Sequence, residues 1–409
     1  MTDTFQLEQQ AWMQVPETLR VMQALGAAGQ DVRFVGGCVR DALAGREIKD
    51  IDIATPDLPE VVIELLTSAG IKAIPTGIEH GTITAVCNHK TYEITTLRLD
   101  LETDGRHAKV AYTDNWVEDA ARRDLTINAL SCSPTGQVFD PFGGIEDLRQ
   151  RHVRFVGDAA TRIEEDALRL LRFFRFQAWY GGENIDPAGL AATREKAHLL
   201  KGLSAERIRS ELLRLLAAPD PVHVVRSMLE NGIFHNFLSE VKDTEVFERF
   251  ILLEGRRDPL VRLVALTAGA AMEKLKVLPE RLRFSGAEQQ HFLSLALPEQ
   301  RVNLMLERQE MRRVLYRLGA GLVSDLLRLN MAVNSQTFDS DAARKIKEQI
   351  ANWRPVFFPL QGRDLLAAGM KPGPRVGRVM KATEEWWIEQ DFKPVASECV
   401  AFALSKERL

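Results

Sequence analysis

Residues 33–55 read RFVGGCVRDALAGREIKDIDIAT, and the reading of this stretch decides the fold. Arg33-Phe34-Val35 forms a short apolar strand that runs into Gly36-Gly37; a short helix follows, and then a second strand carrying Asp50 and Asp52. Side chains alternate faces along a strand, so Asp50 and Asp52 project together while Ile51 and Ile53 anchor the other side. Two neighbouring carboxylates suit Mg²⁺, a hard cation commonly held by one or two carboxylates plus the phosphates of a substrate. Upstream, Gly36 and Gly37 let the backbone approach a bulky anion closely, the helix start offers unpaired N–H groups, and Arg40 adds a full positive charge. A bare Asp-x-Asp is commonly no more than the solvated edge of a strand. The glycine pair, Arg40-Asp41 and the spacing to the Asp pair together favour catalysis.

Working outward, residues 5–30 read as helix with a break near Pro16, and VVIELLTSAG reads as an apolar helix ending at Gly70. Residues 73–98 alternate apolar and polar with β-branched enrichment, predicting strands joined by turns at Gly77–Gly81 and at Asn88-His89. Glu93 is either a third carboxylate aimed at the Asp pair from a neighbouring strand or a charge on an exposed face. Residues 99–115 show no period and read as a mobile loop beside the site, where Arg106, His107 and Lys109 are available to RNA or phosphate. In EDAARRDLTINAL, Leu125, Ile127 and Leu130 pack inward, leaving Arg122, Arg123, Asp124 and Asn128 to meet a phosphate and a ribose hydroxyl. An amphipathic surface helix is the plainer reading of that segment. The turn residues Asp140-Pro141 and Gly143-Gly144, followed by a short strand RFVG, mark a hinge out of the first domain.

Beyond Asp158 the pattern is helical. On a helix through Glu165-Asp166-Ala167-Leu168-Arg169, Asp166 and Arg169 lie one turn apart, with Glu165 able to brace Arg169 at i,i+4. Cytosine and adenine each present an exocyclic amine beside a ring-nitrogen acceptor, which suits a carboxylate next to a guanidinium. Guanine and uracil present a carbonyl and an N–H there, so the same pair selects C and A together. Arg172 and Arg175 continue that face, and from Arg149 to Arg175 seven arginines stand against four acids. Such a stripe suits triphosphate or RNA backbone, although an arginine row is also the ordinary solvent face of an amphipathic helix. Near the far end, Gly369–Pro374 precedes a helix start that could meet an RNA phosphate or simply pack as a helix–turn–helix, and Trp386 and Trp387 read as core.

Composition sets the bounds. A chain of 409 residues has room for about two to four domains. Its net charge of −4 gives no overall sign of a nucleic-acid binder, though it can hide a local stripe. Cys38, Cys87, Cys132 and Cys399 show no metal-type spacing and read as reduced, buried thiols of a cytoplasmic protein. MTDTFQLEQQ lacks the apolar core of a signal peptide, and no run of about 18 apolar residues predicts a membrane span. No internal repeat of fixed period is evident. The fold class expected is α+β: a mixed first domain followed by an all-helical remainder.

Together these residues resemble the class II tRNA nucleotidyltransferase family, the CCA-adding enzymes and their poly(A) polymerase relatives. VGGCVRDALAGREIKDIDIAT looks like the family's first motif and RRDLTINAL its second; DPFGGIEDLRQR is similar to the hinge motif, EEDALRLLRFFRF to the base-recognition motif, and AERIRSELLRLL to its supporting helix. The resemblance implies a polymerase beta-like nucleotidyltransferase head over residues 1–150, a neck over 151–217, a helical body over 218–345 and a tRNA-gripping tail over 346–409. It implies that Asp50 and Asp52 bind catalytic Mg²⁺, Gly37 and Arg40 the phosphates, and Arg123 the nucleotide near Asp124. Asp166 and Arg169 would read the base, with Arg172 and Arg175 lining the pocket. The reaction implied is stepwise addition of C, C and A to a tRNA 3′ end from CTP and ATP, with no obligate protein partner. GIEHGT stands where some poly(A) polymerases resemble G-R-R-F, which favours CCA addition, and the absence of a His-Asp dipeptide argues against an appended phosphohydrolase domain. A poly(A) polymerase, a CC-only or A-only enzyme, and a non-catalytic tRNA-binding module are the alternatives.

Overall fold

The computed structural model describes residues 5–104, 107–338 and 340–407. Its chain divides into two compact units: one runs to Lys242 and takes back Arg281–Phe284, and the other is built from Asp243–Glu280 and the chain from Ser285 onward. The expected head and neck thus fall within the first unit, and the expected body contributes to both.

The first unit opens with β1 (Phe5–Gln6), a single 3-10 turn and α1 (Pro16–Gly26), so the break expected near Pro16 is present, while the α-helix is confined to the part that begins at that proline. A proline at the first helical position loses nothing, because that N–H has no partner inside the helix. Then come β2 (Arg33–Val35), α2 (Gly37–Leu43), β3 (Ile51–Thr55), α3 (Pro59–Ser68), β4 (Lys72–Gly77), β5 (Thr82–Cys87) and β6 (Lys90–Thr96). Asn88 and His89 both take positive φ, 48° and 68°, as a two-residue hairpin turn between β5 and β6 requires.

Residues 98–112 are not a loop. They form the antiparallel pair β7 (Arg98–Asp104) and β8 (His107–Tyr112), a two-stranded ribbon outside the main sheet. Arg106 lies outside the described residues, and the side chains of His107 and Lys109 are not described. Next are α4 (Trp116–Ala121), β9 (Ser131–Cys132), β10 (Gln137–Phe139) and α5 (Gly144–Arg149). The predicted RFVG strand reduces to an isolated bridge between Leu125 and Phe155.

The main sheet has eight strands in the order β1-β10-β9-β2-β3-β6-β5-β4. β3 and β6 are parallel, and the other neighbouring strands are antiparallel. Phe34 pairs with Ile53, and both are buried in a core shared with Val21, Leu25, Val62 and Leu66 of α1 and α3. By alternation Val35, Asp52 and Ala54 face the other way.

Gly144 shows how tightly α5 is seated. A Cβ there would lie 2.3 Å from the Thr126 carbonyl oxygen, a backbone atom that cannot swing aside. Gly144→Ala should therefore destabilise the first unit by about 2 kcal/mol or more. In thermal unfolding this appears as a Tm lower by roughly 4–8 °C, and an unchanged Tm would contradict the close approach.

The helices of the first unit continue as α6 (Ala159–Glu165), α7 (Leu168–Tyr180), α8 (Pro187–Lys196), α9 (Ala205–Leu216) and α10 (Val222–Glu230). The second unit is helical throughout its described elements, including the long helix Arg308–Val333, which breaks at Gly319 with φ 78°. Near its end Trp387 and Leu365 sit in a small core, and Trp386 stacks on Phe402 at 4.3 Å, in keeping with the core reading of both tryptophans. All four cysteines are free and buried. Among the described residues no helix is long and apolar enough to cross a membrane.

Candidate active site

Asp52 stands near the middle of the sheet, on the face opposite the α1–α3 core. Ile51 and Ile53 pack into that core, as alternation requires. The parallel register places Glu93 of β6 directly beside Asp52, on the same face of the sheet; Asp50, expected on the same strand, lies just before β3 and is exposed. Burial pushes the Asp52 carboxyl up to about 6; Glu93 and Asp50 push the same way, while Arg123 and Arg40 oppose them. This crowding of negative charge is what a divalent cation relieves, and two carboxylates plus substrate phosphates suffice for Mg²⁺. Among the described residues no three His, Cys, Asp or Glu side chains converge as a ready-made metal cage. Asp50 and Asp52 supply carboxylate oxygens, the donor type a hard cation takes.

Gly36 precedes α2 with φ 65° and ψ −118°, a conformation that side chains strain to adopt, and a Cβ there would meet Arg123 Nη1 at 3.0 Å. The glycine thus keeps Arg123 close to the turn. Arg123 donates to the Asn128 carbonyl oxygen at 3.3 Å and to Asp119 at 3.2 Å. Burial would raise the Asp119 carboxyl, but Arg123 and Arg122 outweigh it and lower the pKa. Beside these groups a cavity of about 850 Å³ is lined by Val35, Asp119 and Arg123 and by Arg33, whose guanidinium lies over the rings of Trp116 and Phe139.

Leu125, Ile127 and Leu130 pack inward as expected. Asp124 and Asn128 do not remain free for ligand, because both are buried and bonded to each other. They form the centre of a chain in which Arg40 Nη1 donates to Asn128 Oδ1 at 2.6 Å, Asn128 Nδ2 to Asp124 Oδ1 at 2.9 Å, and Arg172 Nε to Asp124 Oδ2 at 2.6 Å. Burial alone would raise the Asp124 carboxyl; Arg172 reverses this and holds it well below the usual carboxylate range. The arginine row of α7 is thus largely neutralised, since Arg175 Nε bonds Glu211 of α9 at 2.6 Å.

Asp166 and Arg169 are not successive faces of one helix. α6 ends at Glu165, and Asp166 takes extended backbone with φ −152°. Its Oδ1 accepts from the Leu168 N–H at 3.1 Å, serving the unpaired donors at the start of α7. Arg207 of α9 grips both carboxylate oxygens of Asp166, at 3.0 and 2.8 Å. Arg169 is braced by Glu165 as expected and donates to the Arg122 carbonyl oxygen at 2.8 Å. A carboxylate accepts about four hydrogen bonds, so the three contacts leave Asp166 capacity for an exocyclic amine.

With this arrangement in view, residues 32–154 match the family described as Poly A polymerase head domain, and residues 184–244 match the probable RNA and SrmB-binding site of polymerase A. A CCA tRNA nucleotidyltransferase 1, mitochondrial, from Danio rerio is 33% identical over 384 residues, covering 91% of this chain and 86% of the relative. The chain belongs to the CCA-adding tRNA nucleotidyltransferase family. A CCA-adding enzyme from Levilactobacillus brevis is 32% identical over 373 residues, 88% of this chain and 90% of that one. The solved CCA-adding enzyme of Bacillus stearothermophilus in complex with CTP superposes with a TM-score of 0.76 at 26% identity, covering 96% of this chain and 97% of that one.

Within this CCA-adding fold, sequence reasoning missed the partners that hold the site. Arg207 and Glu211 lie in the supporting helix, where no local pattern marks them as partners of Asp166 and Arg175. Tyr180, the last residue of α7, donates to Asp41 Oδ1 at 2.5 Å. The Arg40-Asp41 dipeptide was the available signal, since a buried charge pair needs further partners to complete its hydrogen bonding.

Proposed function

We propose that this chain adds C, C and A to tRNA 3′ ends, taking CTP and ATP one at a time without a nucleic-acid template. The observation that carries the reading is the crowded carboxylate site of Asp50, Asp52 and Glu93, facing Arg123, in a chain of this family. The tRNA 3′-hydroxyl attacks the α-phosphate of the bound nucleotide, a phosphodiester forms, and pyrophosphate leaves.

Asp50 and Asp52 would hold Mg²⁺, with Glu93 beside them adding negative potential. When bound, the cation polarises the phosphoryl oxygen and makes the attacking hydroxyl easier to deprotonate. Gly36 and Gly37 bring backbone close to the triphosphate, and Arg40 and Arg123 supply positive charge near it. Asp124 and Asn128 act by fixing Arg40 and Arg172. Asp166 and Arg169 accept from the exocyclic amine and donate to the ring nitrogen of C or A, with Arg172 and Arg175 bordering the same pocket.

A head over residues 1–150, neck over 151–217, body over 218–345 and tRNA-gripping tail over 346–409 is the working division of these tasks. Four free, buried cysteines suit a reducing, cytoplasmic setting.

The test is to incubate the purified chain and Mg²⁺ with tRNAs ending before CCA, after C and after CC, giving each nucleotide singly. Addition of C, C and A that then stops is the expected result. Processive A addition would instead make it a poly(A) polymerase, and addition of only CC or only A a partial enzyme. No incorporation would leave a tRNA-binding module.

A further inference from the structure

Arg40 is only 8% exposed, and its guanidinium is more committed than a free phosphate ligand would be. Nε donates to Asp41 Oδ1 at 3.0 Å, Nη2 to Asp41 Oδ2 at 3.1 Å, and Nη1 to Asn128 Oδ1 at 2.6 Å. One N–H on each terminal nitrogen remains for a ligand. A Cβ built on Gly37 would lie 3.7 Å from Nη2, so that nitrogen sits against the paired-glycine turn. What sets its direction is the carboxylate behind it. Asp41 is held in turn by the Tyr180 hydroxyl at 2.5 Å, a contact that spans 139 residues of sequence. The Tyr180 ring lies beneath two cations: the Arg40 guanidinium is 4.5 Å from its centroid and that of Arg46 is 4.3 Å. Arg46 also bonds the Trp179 carbonyl oxygen, fixing the same end of α7 from a second direction.

We infer that Tyr180 is a positioning residue for the nucleotide's triphosphate: through Asp41 it aims the remaining N–H groups of Arg40 at the phosphates lying on the Gly36-Gly37 turn. This rests on the triphosphate reading of that turn given above. The hydroxyl donates one hydrogen bond to a carboxylate that has already formed a fork with an arginine, and such charge-assisted contacts are short and directional. Without it Asp41 can rotate, and Arg40 follows. The base-reading pair, Asp166 and Arg169, lies at the opposite end of α7 and keeps its own ties to Arg207, Glu165 and Arg122. The loss therefore falls on phosphate recognition and spares base recognition.

Tyr180→Phe removes a single oxygen and tests this in the full chain with Mg²⁺, using CTP on a tRNA lacking CCA and ATP on a tRNA ending in CC. The expected result is a KM raised about tenfold or more for both nucleotides alike, the size of one lost hydrogen bond to a charged group. kcat should stay within about twofold, and inhibition by inorganic pyrophosphate, which has phosphates but no base, should weaken by the same factor. Asp41→Asn approaches the contact from its other side and should shift KM the same way, with the double variant showing less than the product of the two effects. Unchanged KM and pyrophosphate inhibition, or a loss confined to kcat, would overturn the inference. If Tyr180→Phe does not fold, an unchanged KM in Asp41→Asn overturns it equally. Absence of any incorporation by the unaltered chain would count against the activity itself. The inference would then still be tested by pyrophosphate's effect on Tm, expected to raise it for the unaltered chain more than for Tyr180→Phe.

Discussion

Asp52→Ala should abolish nucleotide incorporation, lowering it on the order of a thousandfold or more, which corresponds to about 4 kcal/mol of lost transition-state stabilisation. Removing Asp52 takes away one of the two carboxylates proposed to hold Mg²⁺, and metal-ion catalysis supplies several kcal/mol of charge stabilisation. Retained binding of tRNA, measured by gel shift, should accompany the loss. The structure adds a second readout. Asp52 is pushed up by burial and by Glu93 and Asp50, so its charge is held at a cost in the folded protein. The alanine variant should therefore melt at the same temperature as the unaltered chain, or higher. Mg²⁺ should raise the Tm of the unaltered chain more than that of the variant, because a ligand stabilises only the state that binds it. Substantial residual incorporation, or an equal response to Mg²⁺, would sink the assignment.

The second large effect concerns selectivity. Asp166→Asn keeps the volume and the ability to cap the start of α7, but replaces one acceptor oxygen with a donor NH₂. The ratio of kcat/KM for CTP over UTP should fall by about a hundredfold, since sites that reject a substrate through mismatched hydrogen bonds discriminate strongly and lose that power when the mismatch is removed. Arg169→Ala should narrow the same ratio from the other side. The measurement is single-nucleotide incorporation with each of the four triphosphates. A ratio unchanged in both variants refutes the base-reading role of Asp166 and Arg169.

The central stretch was legible because strand alternation is a strictly local rule. Ile51 and Ile53 face the core and Asp52 faces away, as period 2 requires. Glu93 was undecidable by the same rule, because its place beside Asp52 depends on a parallel register between strands joined by a long excursion through α3, β4 and β5. Asp166 misled for a different reason. Apolar spacing continues across it, so two helices read as one, while the break comes from its side chain capping the second helix. The ribbon of β7 and β8 was missed because a pair outside the main sheet need not show the alternation of a half-buried strand. The partners of Arg172 and Arg175, 48 and 36 residues away, lie beyond any local pattern.

The buried chain from Arg40 through Asn128 and Asp124 to Arg172 bears on how this protein can be taken apart. A fragment ending near residue 150 would keep Asp124, Asp41 and Arg40 but lose Arg172 and Tyr180, leaving a buried carboxylate without its counter-ion. Breaking such a pair by removing one partner costs about 3–5 kcal/mol, a large share of the stability of an ordinary domain. The catalytic sheet and α7 are therefore expected to be inseparable as expressed pieces, and a stable fragment must run past Tyr180.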